Sequence, residues 1–213
     1  MTHQTATPIK HATLSPTSRS LWGQVHLLDT GEMTLAAPYQ RESVWSEEQR
    51  IMLIKSLMSG IPIPALIINE RNDTTVGQPG YAVVDGKQRL LTLAAWLHGE
   101  LAVPASWWPP ERIVTTEETA DGPYVRFTGL DIVGQRWFKN MATIAVVPAN
   151  AANLREEAEL FLLVNSSGTG QTEEDLQRAR DFRDSLTNRQ TALTRTPPTV
   201  PGRDDPGRER GLR

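Results

Sequence analysis

The chain has 213 residues, of which 38% are hydrophobic and 22% are charged, and it contains no cysteine. The lack of cysteine excludes a disulfide framework, a thiolate metal site and a cysteine nucleophile. No apolar run approaches the roughly 20 residues that a membrane-spanning helix needs, and the polar segment Met1–Thr13 lacks the apolar core of an export signal. We therefore expect a soluble, cytoplasmic protein with no membrane partner.

The net charge of −3 is unevenly distributed along the chain. Nine arginines and five acidic residues lie between Leu176 and Arg213, so this end is basic while the rest of the chain is acidic. A basic end on an acidic body either contacts nucleic acid or a partner protein, or is simply solvated. Charge alone does not decide between these interpretations.

Composition divides the chain into three parts. Residues 1–17 and 187–213 are predicted to be disordered, because both are polar and the second is rich in proline, glycine and arginine. Such segments bury too little apolar surface to offset the entropy lost on ordering. The remaining residues, 18–186, have the length of one domain.

Helical and strand patterns alternate within residues 18–186. We predict helices over residues 20–29, 46–58, 90–98 and 153–164 and from residue 172 onward, and strands over residues 33–35, 65–68, 81–84 and 142–147. Ser46 and Gln49 form the pattern of a capping box at the start of the second helix. The alternation indicates an α+β or α/β fold with a small mixed sheet.

A predicted strand runs directly into a predicted helix at residues 81–90, whose sequence is YAVVDGKQRL. The first N–H groups of a helix are unpaired, and Gly86 allows a ligand to approach the backbone closely. Lys87 and Arg89 add positive charge, and arginine can hold a phosphate through two parallel hydrogen bonds. These are the features of an anion site. The alternative is an ordinary turn capped by Asp85, with solvated basic side chains.

Two further clusters combine residue types that occur in binding sites. Residues 38–41 (Pro-Tyr-Gln-Arg) precede Trp45 at the start of a helix, where they either belong to a site or pack against that helix. Residues 165–170 (Asn-Ser-Ser-Gly-Thr-Gly) lie between two helices. They either wrap a phosphate or ribose with backbone amides or form a helix end and linker.

These clusters follow one another in a distinctive order. The order is Tyr39-Gln40-Arg41 and Trp45, then Ile61-Pro62-Ile63-Pro64 before a strand, then Asp85-Gly86-Lys87-Gln88-Arg89, then Asn165-Ser166-Ser167-Gly168. In this order the motifs resemble the N-terminal domain of GmrSD-type restriction endonucleases, which is similar to the ParB/sulfiredoxin-like fold. The resemblance covers residues 20–186 and implies an α+β fold, in which helices pack on a small mixed sheet.

The resemblance also implies a function: binding of a nucleoside triphosphate, and in several members its hydrolysis, coupled to DNA restriction or phage defence. It would place the following residues at the nucleotide or its phosphates: Tyr39, Gln40, Arg41, Gly86, Lys87, Gln88, Arg89, Asn165 and Gly168. Asp85 would either cap the helix or hold Mg²⁺ through water, since hard cations prefer oxygen ligands. If hydrolysis occurs, Asp85 or Glu42 would position the attacking water.

The chain departs from the family pattern in three places. No histidine follows His98, so we expect no His-Asn-His nuclease centre and, as a partner, a separately encoded nuclease. Lys87 replaces the usual glutamine, which would strengthen phosphate binding or alter hydrolysis, and Gln171 stands where leucine is usual. The alternative function is a non-catalytic DNA-binding or adaptor module, in which the same arginines contact DNA phosphates.

Overall fold

The computed structural model describes residues 15–40, 45–71, 79–165 and 173–195. The six described helices are α1 Leu21–Asp29, α2 Glu47–Met58, α3 Lys87–Leu97, α4 Ile132–Met141, α5 Leu154–Asn165 and α6 Glu173–Arg195. The eight described strands are β1 Thr17–Ser20, β2 Met33–Thr34, β3 Leu66–Glu70, β4 Tyr81–Asp85, β5 Ala102–Pro104, β6 Glu117–Thr119, β7 Gly122–Arg126 and β8 Thr143–Ala149.

The main sheet is mixed and has five strands, in the order β1-β8-β3-β4-β2. Strand β3 runs parallel to β8 and antiparallel to β4, and the short β2 runs parallel to β4. The predicted α+β class is confirmed. Strand β4 lies between β3 and β2, and α3 begins two residues after the end of β4.

Helix α2 begins where the capping-box pattern predicts. The Ser46 hydroxyl accepts a hydrogen bond from the Gln49 N–H at 3.3 Å, and the Gln49 side chain accepts one from the Ser46 N–H at 2.9 Å. Gly60, at φ 67°, follows the helix, and left-handed backbone of this kind commonly ends a helix. This local signal is strong because both partners lie within four residues.

The predicted elements missed a second sheet, with strand order β5-β7-β6. Its strands are three to five residues long and are not marked by regular hydrophobic alternation. The sheet adjoins an aromatic cluster in the main core, in which Trp96 packs edge-on against Phe127 and Phe138 with ring centroids 5.7 and 5.8 Å apart. Short strands of this kind are stabilised by packing against residues that are distant in the sequence. Local hydrophobic periodicity does not reveal such contacts.

Two element boundaries differ from the predicted ones by three residues or more. Helix α3 begins at Lys87 and not at Leu90, so the basic residues of the turn lie in its first turn. Helix α6 continues to Arg195, although disorder is predicted from residue 187. Residues 187–195 contain alanine, leucine, glutamine and arginine, which favour helix, and no proline before Pro197. Among the described residues no helix is both long and apolar enough to cross a membrane.

A smaller apolar cluster lies beside the main core and joins α5 and α6 to the segment before residue 40. Its buried members are Ala37, Tyr39, Val84, Ala158, Phe161, Leu162, Leu176 and Ala179. Val84 comes directly before Asp85 at the end of β4. The two last helices are therefore packed against the strand that leads into the predicted anion site.

Candidate functional site

The residue that precedes α3 supplies no side-chain cap. Gly86 occupies the N-cap position in the left-handed region at φ 97°, and it has no side chain that could accept a hydrogen bond from the first turn. In most helices a serine, threonine, aspartate or asparagine accepts such a bond. The helix dipole favours a negatively charged group at such a helix start.

Position 86 favours a residue without a side chain, because neighbouring side chains occupy the space that a Cβ would fill. A Cβ built on Gly86 would collide with the Leu66 side chain, and it would lie 3.3 Å from Nε and Nη2 of Arg89. The positive φ adds strain for any other residue. The missing side chain thus makes room for Leu66 and Arg89 within the fold.

Arg89 faces inward. It is 9% exposed, and its Nη2 donates to Asp85 Oδ2 at 2.5 Å while its Nη1 donates to the carbonyl oxygen of Ala65 at 3.1 Å. The carboxylate of Asp85 therefore binds Arg89 and does not cap α3. These bonds connect the end of β4 to the segment before β3. A phosphate contact by Arg89 stays a prediction.

Lys87 stands at the first position of α3. Within the described ranges its ammonium has no ion pair and no hydrogen-bonding side chain. It lines a groove of about 450 Å³ together with Leu35, Ala36, Ala37, Pro38, Gln40 and Leu91. Leu91 lies one helical turn after Lys87 and is 38% exposed. The groove thus has mainly aliphatic walls and a cation at the uncapped helix start.

Gln40 holds one wall of this groove in place. Its Nε2 donates to the carbonyl oxygens of Val83 at 2.9 Å and Val84 at 2.7 Å. Its Oε1 is buried and has no hydrogen-bond partner in the described part of the chain. The amide is therefore directed toward β4, which ties the segment before residue 40 to the strand that precedes the helix start.

A buried polar cluster, which we call the Glu157 cluster, lies behind this segment. Its members are Glu157, Tyr39, Asn69 and Arg71. Glu157 and Tyr39 are each 1% exposed, and the Tyr39 hydroxyl donates to Glu157 Oε1 at 2.8 Å. Burial, followed by the negative charge of Glu157, raises the pKa of Tyr39 far above its usual value. Tyr39 therefore stays a neutral hydrogen-bond donor at physiological pH.

Sequence reasoning missed Glu157, and no local signal identifies it. It stands in the run Arg155-Glu156-Glu157 in the first turn of α5, where acidic residues are common. Its partners are 86 to 118 positions away in the chain. Only the tertiary fold brings them together.

The remaining predicted site residues are placed as follows. Gln88 accepts a hydrogen bond from the Trp45 N–H at 3.3 Å, which connects α3 to the start of α2. Asn165 is buried at the end of α5 and donates to the carbonyl oxygen of Phe161 at 2.8 Å. Arg41, Glu42 and Gly168 lie outside the described residues. The structure therefore brings Gln40 and Lys87 to one groove and Asp85, Gly86 and Arg89 to one turn.

A resident metal site is not built into the described residues. They contain no cluster of three or more histidine, aspartate or glutamate side chains that would hold an ion. Asp85 supplies the only carboxylate in the turn between β4 and α3, and Arg89 occupies one of its oxygens. A divalent cation at this turn would need most of its ligands from water or from a bound phosphate.

Comparison with protein-family models places part of this chain in a known family. Residues 26–182 match the family described as GmrSD restriction endonuclease, N-terminal domain. The match includes the groove, the turn before α3 and the Glu157 cluster. Among curated proteins, no relative matches the chain.

Proposed function

Because the chain belongs to the family of GmrSD restriction endonuclease N-terminal domains, which associates it with DNA restriction, we propose that it is a nucleotide-binding module. The phosphates of a nucleoside triphosphate would lie at the start of α3, against its N–H groups and Lys87. The observation that carries this proposal is the uncapped helix start beside a cation that has no partner within the described ranges. Both groups favour a polyanion.

The charges around the turn support binding of an anion. Asp85, the nearest carboxylate along the chain, is paired with Arg89, so its negative charge is largely compensated. Lys87, at the first position of α3, has no ion pair among the described residues. Hydrogen bonds from charged donors to phosphate are about twice as strong as those between neutral groups. A triphosphate offers several such acceptors.

The groove would receive the nucleoside. Its volume of about 450 Å³ lies within the range of small-molecule sites. The aliphatic side chains of Leu35, Pro38 and Leu91 would contact the faces of a base and a ribose, while Lys87 at the helix start would meet the phosphates. The ligand would thus extend from the helix start along the segment that Gln40 ties to β4.

The other predicted residues have distinct places in this proposal. Arg89 would act by building the turn, through its bonds to Asp85 and Ala65. A contact from Arg41, and participation of Asp85 or Glu42 in hydrolysis, stay predictions. We propose binding as the function, and hydrolysis is not required by it.

Mg²⁺ fits this arrangement as an ion that arrives with the nucleotide. Mg²⁺ usually keeps several waters and binds through one or two carboxylates and the substrate phosphates. Asp85, whose side chain is 26% exposed, would contact the ion through water. When bound, the ion would neutralise part of the phosphate charge.

Calorimetric titration tests the proposal against the DNA-binding alternative. Purified protein is titrated with each nucleoside triphosphate, with and without Mg²⁺, and separately with inorganic tripolyphosphate and duplex DNA. We expect saturable 1:1 binding of a triphosphate that excess DNA does not displace. A DNA module would instead bind duplex DNA with an affinity whose logarithm falls steeply with the logarithm of salt, by about 0.9 per phosphate neutralised. That result without triphosphate binding would contradict the proposal.

A further inference from the structure

Glu157 is the most completely bonded buried charge in the described part of the chain. Its two carboxylate oxygens accept four hydrogen bonds, from Tyr39 at 2.8 Å, from Asn69 at 2.8 Å and from Nε and Nη2 of Arg71 at 3.2 and 2.9 Å. The donors come from the segment before residue 41, from the end of β3 and from the residue that follows β3. One carboxylate on α5 therefore holds three donor residues from two other parts of the chain.

A buried ion pair such as that of Glu157 and Arg71 is in general weak evidence for stability. Removing a charge from water is costly, and a buried ion pair is often replaced by apolar residues of similar volume without loss of stability. What a carboxylate does supply is a fixed orientation of its donors, because its hydrogen bonds hold each donor group in one geometry. The question is which of the three orientations matters outside the cluster.

Tyr39 links the Glu157 cluster to the groove. Its ring packs against Phe161 and Phe182, with centroids 5.2 and 6.3 Å apart, and its hydroxyl is held by Glu157. The next residue, Gln40, bonds to Val83 and Val84 and lines the groove that Lys87 also lines. Two consecutive residues are thus held at both sides, Tyr39 by the Glu157 cluster and Gln40 at the groove wall.

We propose that Glu157 is a positioning residue for the nucleotide site, acting through the Tyr39 hydroxyl. This inference rests on the proposed nucleotide-binding function. Glu157 does not contact the ligand; it holds Tyr39, and thereby the wall formed by Gln40, at the distance from α3 that the nucleotide needs. Loss of the hydroxyl bond would loosen the wall while the helix start and Lys87 stay in place.

The central variant is Tyr39→Phe, which removes the hydroxyl and leaves the ring packing intact. We expect the affinity for the best-bound nucleoside triphosphate to fall about tenfold, as measured by calorimetry. The matched control is Tyr124→Phe, which removes a tyrosine hydroxyl that donates to Asp121 at 3.0 Å in the second sheet. This control should bind like the wild type.

A second control separates positioning from general loss of stability. Val103→Ala removes two methyl groups from a fully buried position in β5 and lowers the stability of the fold without touching the groove. If affinity followed stability, this variant would lose affinity as Tyr39→Phe does. We expect its dissociation constant to equal that of the wild type. Equal losses in both variants would overturn the inference.

The conservative variant Glu157→Gln provides a rescue test. Its side-chain oxygen can still accept from Tyr39, so it should retain more affinity than Glu157→Leu, which cannot. The outcomes also separate this inference from the proposed function. If wild type binds a triphosphate and Tyr39→Phe binds it equally well, the positioning role is wrong and the function stands. If wild type binds no triphosphate, both are wrong.

Discussion

Arg89 and Asp85 form an inward-facing pair across the turn between β4 and α3. Nη2 of Arg89 donates to Oδ2 of Asp85 at 2.5 Å, and the second guanidinium bond, to the carbonyl oxygen of Ala65, closes the turn against the segment before β3. The side chain that the motif predicts as a phosphate clamp thus makes two contacts within the fold, and its contact with a phosphate stays a prediction. In the proposed site, Lys87 and the start of α3 would meet the ligand.

Replacing Arg89 tests this structural role. Arg89→Ala leaves the Asp85 carboxylate and the Ala65 carbonyl without their partner, and broken buried pairs are costly. Since Asp85 is partly exposed, we expect a loss of about 2–3 kcal/mol in the free energy of unfolding. Chemical denaturation monitored by tryptophan fluorescence would measure it.

The matched control for Arg89 is Arg136→Ala, which removes an exposed arginine from α4. Surface substitutions of this kind change stability by less than about 0.5 kcal/mol. If Arg89→Ala were as stable as this control, the supporting role of Arg89 would be wrong.

Alanine substitutions at Gly86 and Gly122 separate the cost of backbone strain from the cost of crowding in the free energy of unfolding. Both have positive φ, 97° and 106°, but a Cβ on Gly122 would meet no described atom within 4 Å, whereas one on Gly86 would collide with Leu66. Gly122→Ala should cost about 1–2 kcal/mol, from strain alone. Gly86→Ala should cost clearly more in the same denaturation experiment. Equal costs would show that the turn before α3 can move away from Leu66.

The lowered pKa of Asp131 leads us to expect that the free energy of unfolding depends on pH. The hydrogen bond from the Gly134 N–H lowers the pKa of Asp131 below its usual range, and although desolvation opposes this, the Arg112 guanidinium adds to the lowering. A lowered folded-state pKa stabilises the protein above the unfolded-state pKa, about 3.9, and this stabilisation is lost as the pH falls through the folded-state value.

Asp131→Asn keeps a capping oxygen at the start of α4 but removes the charge. We expect it to be less stable than wild type at pH 7, with the difference shrinking as the pH falls toward 2. Unfolding curves at a series of pH values would measure this difference. A difference independent of pH would mean that the ionised carboxylate contributes nothing.

The parts of the fold that are determined by residues close together in the sequence could be predicted. The capping box at Ser46 and Gln49 is confirmed, and so is the succession of a strand and a helix at residues 81–97. Each of these signals lies within a few residues of the structure that it produces. The order of the motifs predicted the family, which the match over residues 26–182 confirms.

The internal orientation of the candidate site residues could not be predicted. An arginine in the first turn of a helix is usually exposed, and whether it turns inward depends on a carbonyl group 24 positions earlier. Tyr39 is similar: its partner Glu157 is 118 positions away and stands in a run that is typical of a solvated helix start. Local pattern identifies which residues are unusual, but it does not tell a ligand contact from an internal hydrogen bond.

The proposed phosphate site is tested most directly by removing the Lys87 ammonium and measuring the affinity for a nucleoside triphosphate. Loss of one charge-assisted contact costs about 1.5–3 kcal/mol, so calorimetry should find Lys87→Ala binding about 10- to 150-fold more weakly than wild type. Lys55→Ala removes an ammonium that lies over the Trp107 ring, outside the groove, and should bind like wild type. If Lys87→Ala bound the triphosphate as tightly as Lys55→Ala does, the phosphates would not lie at the start of α3.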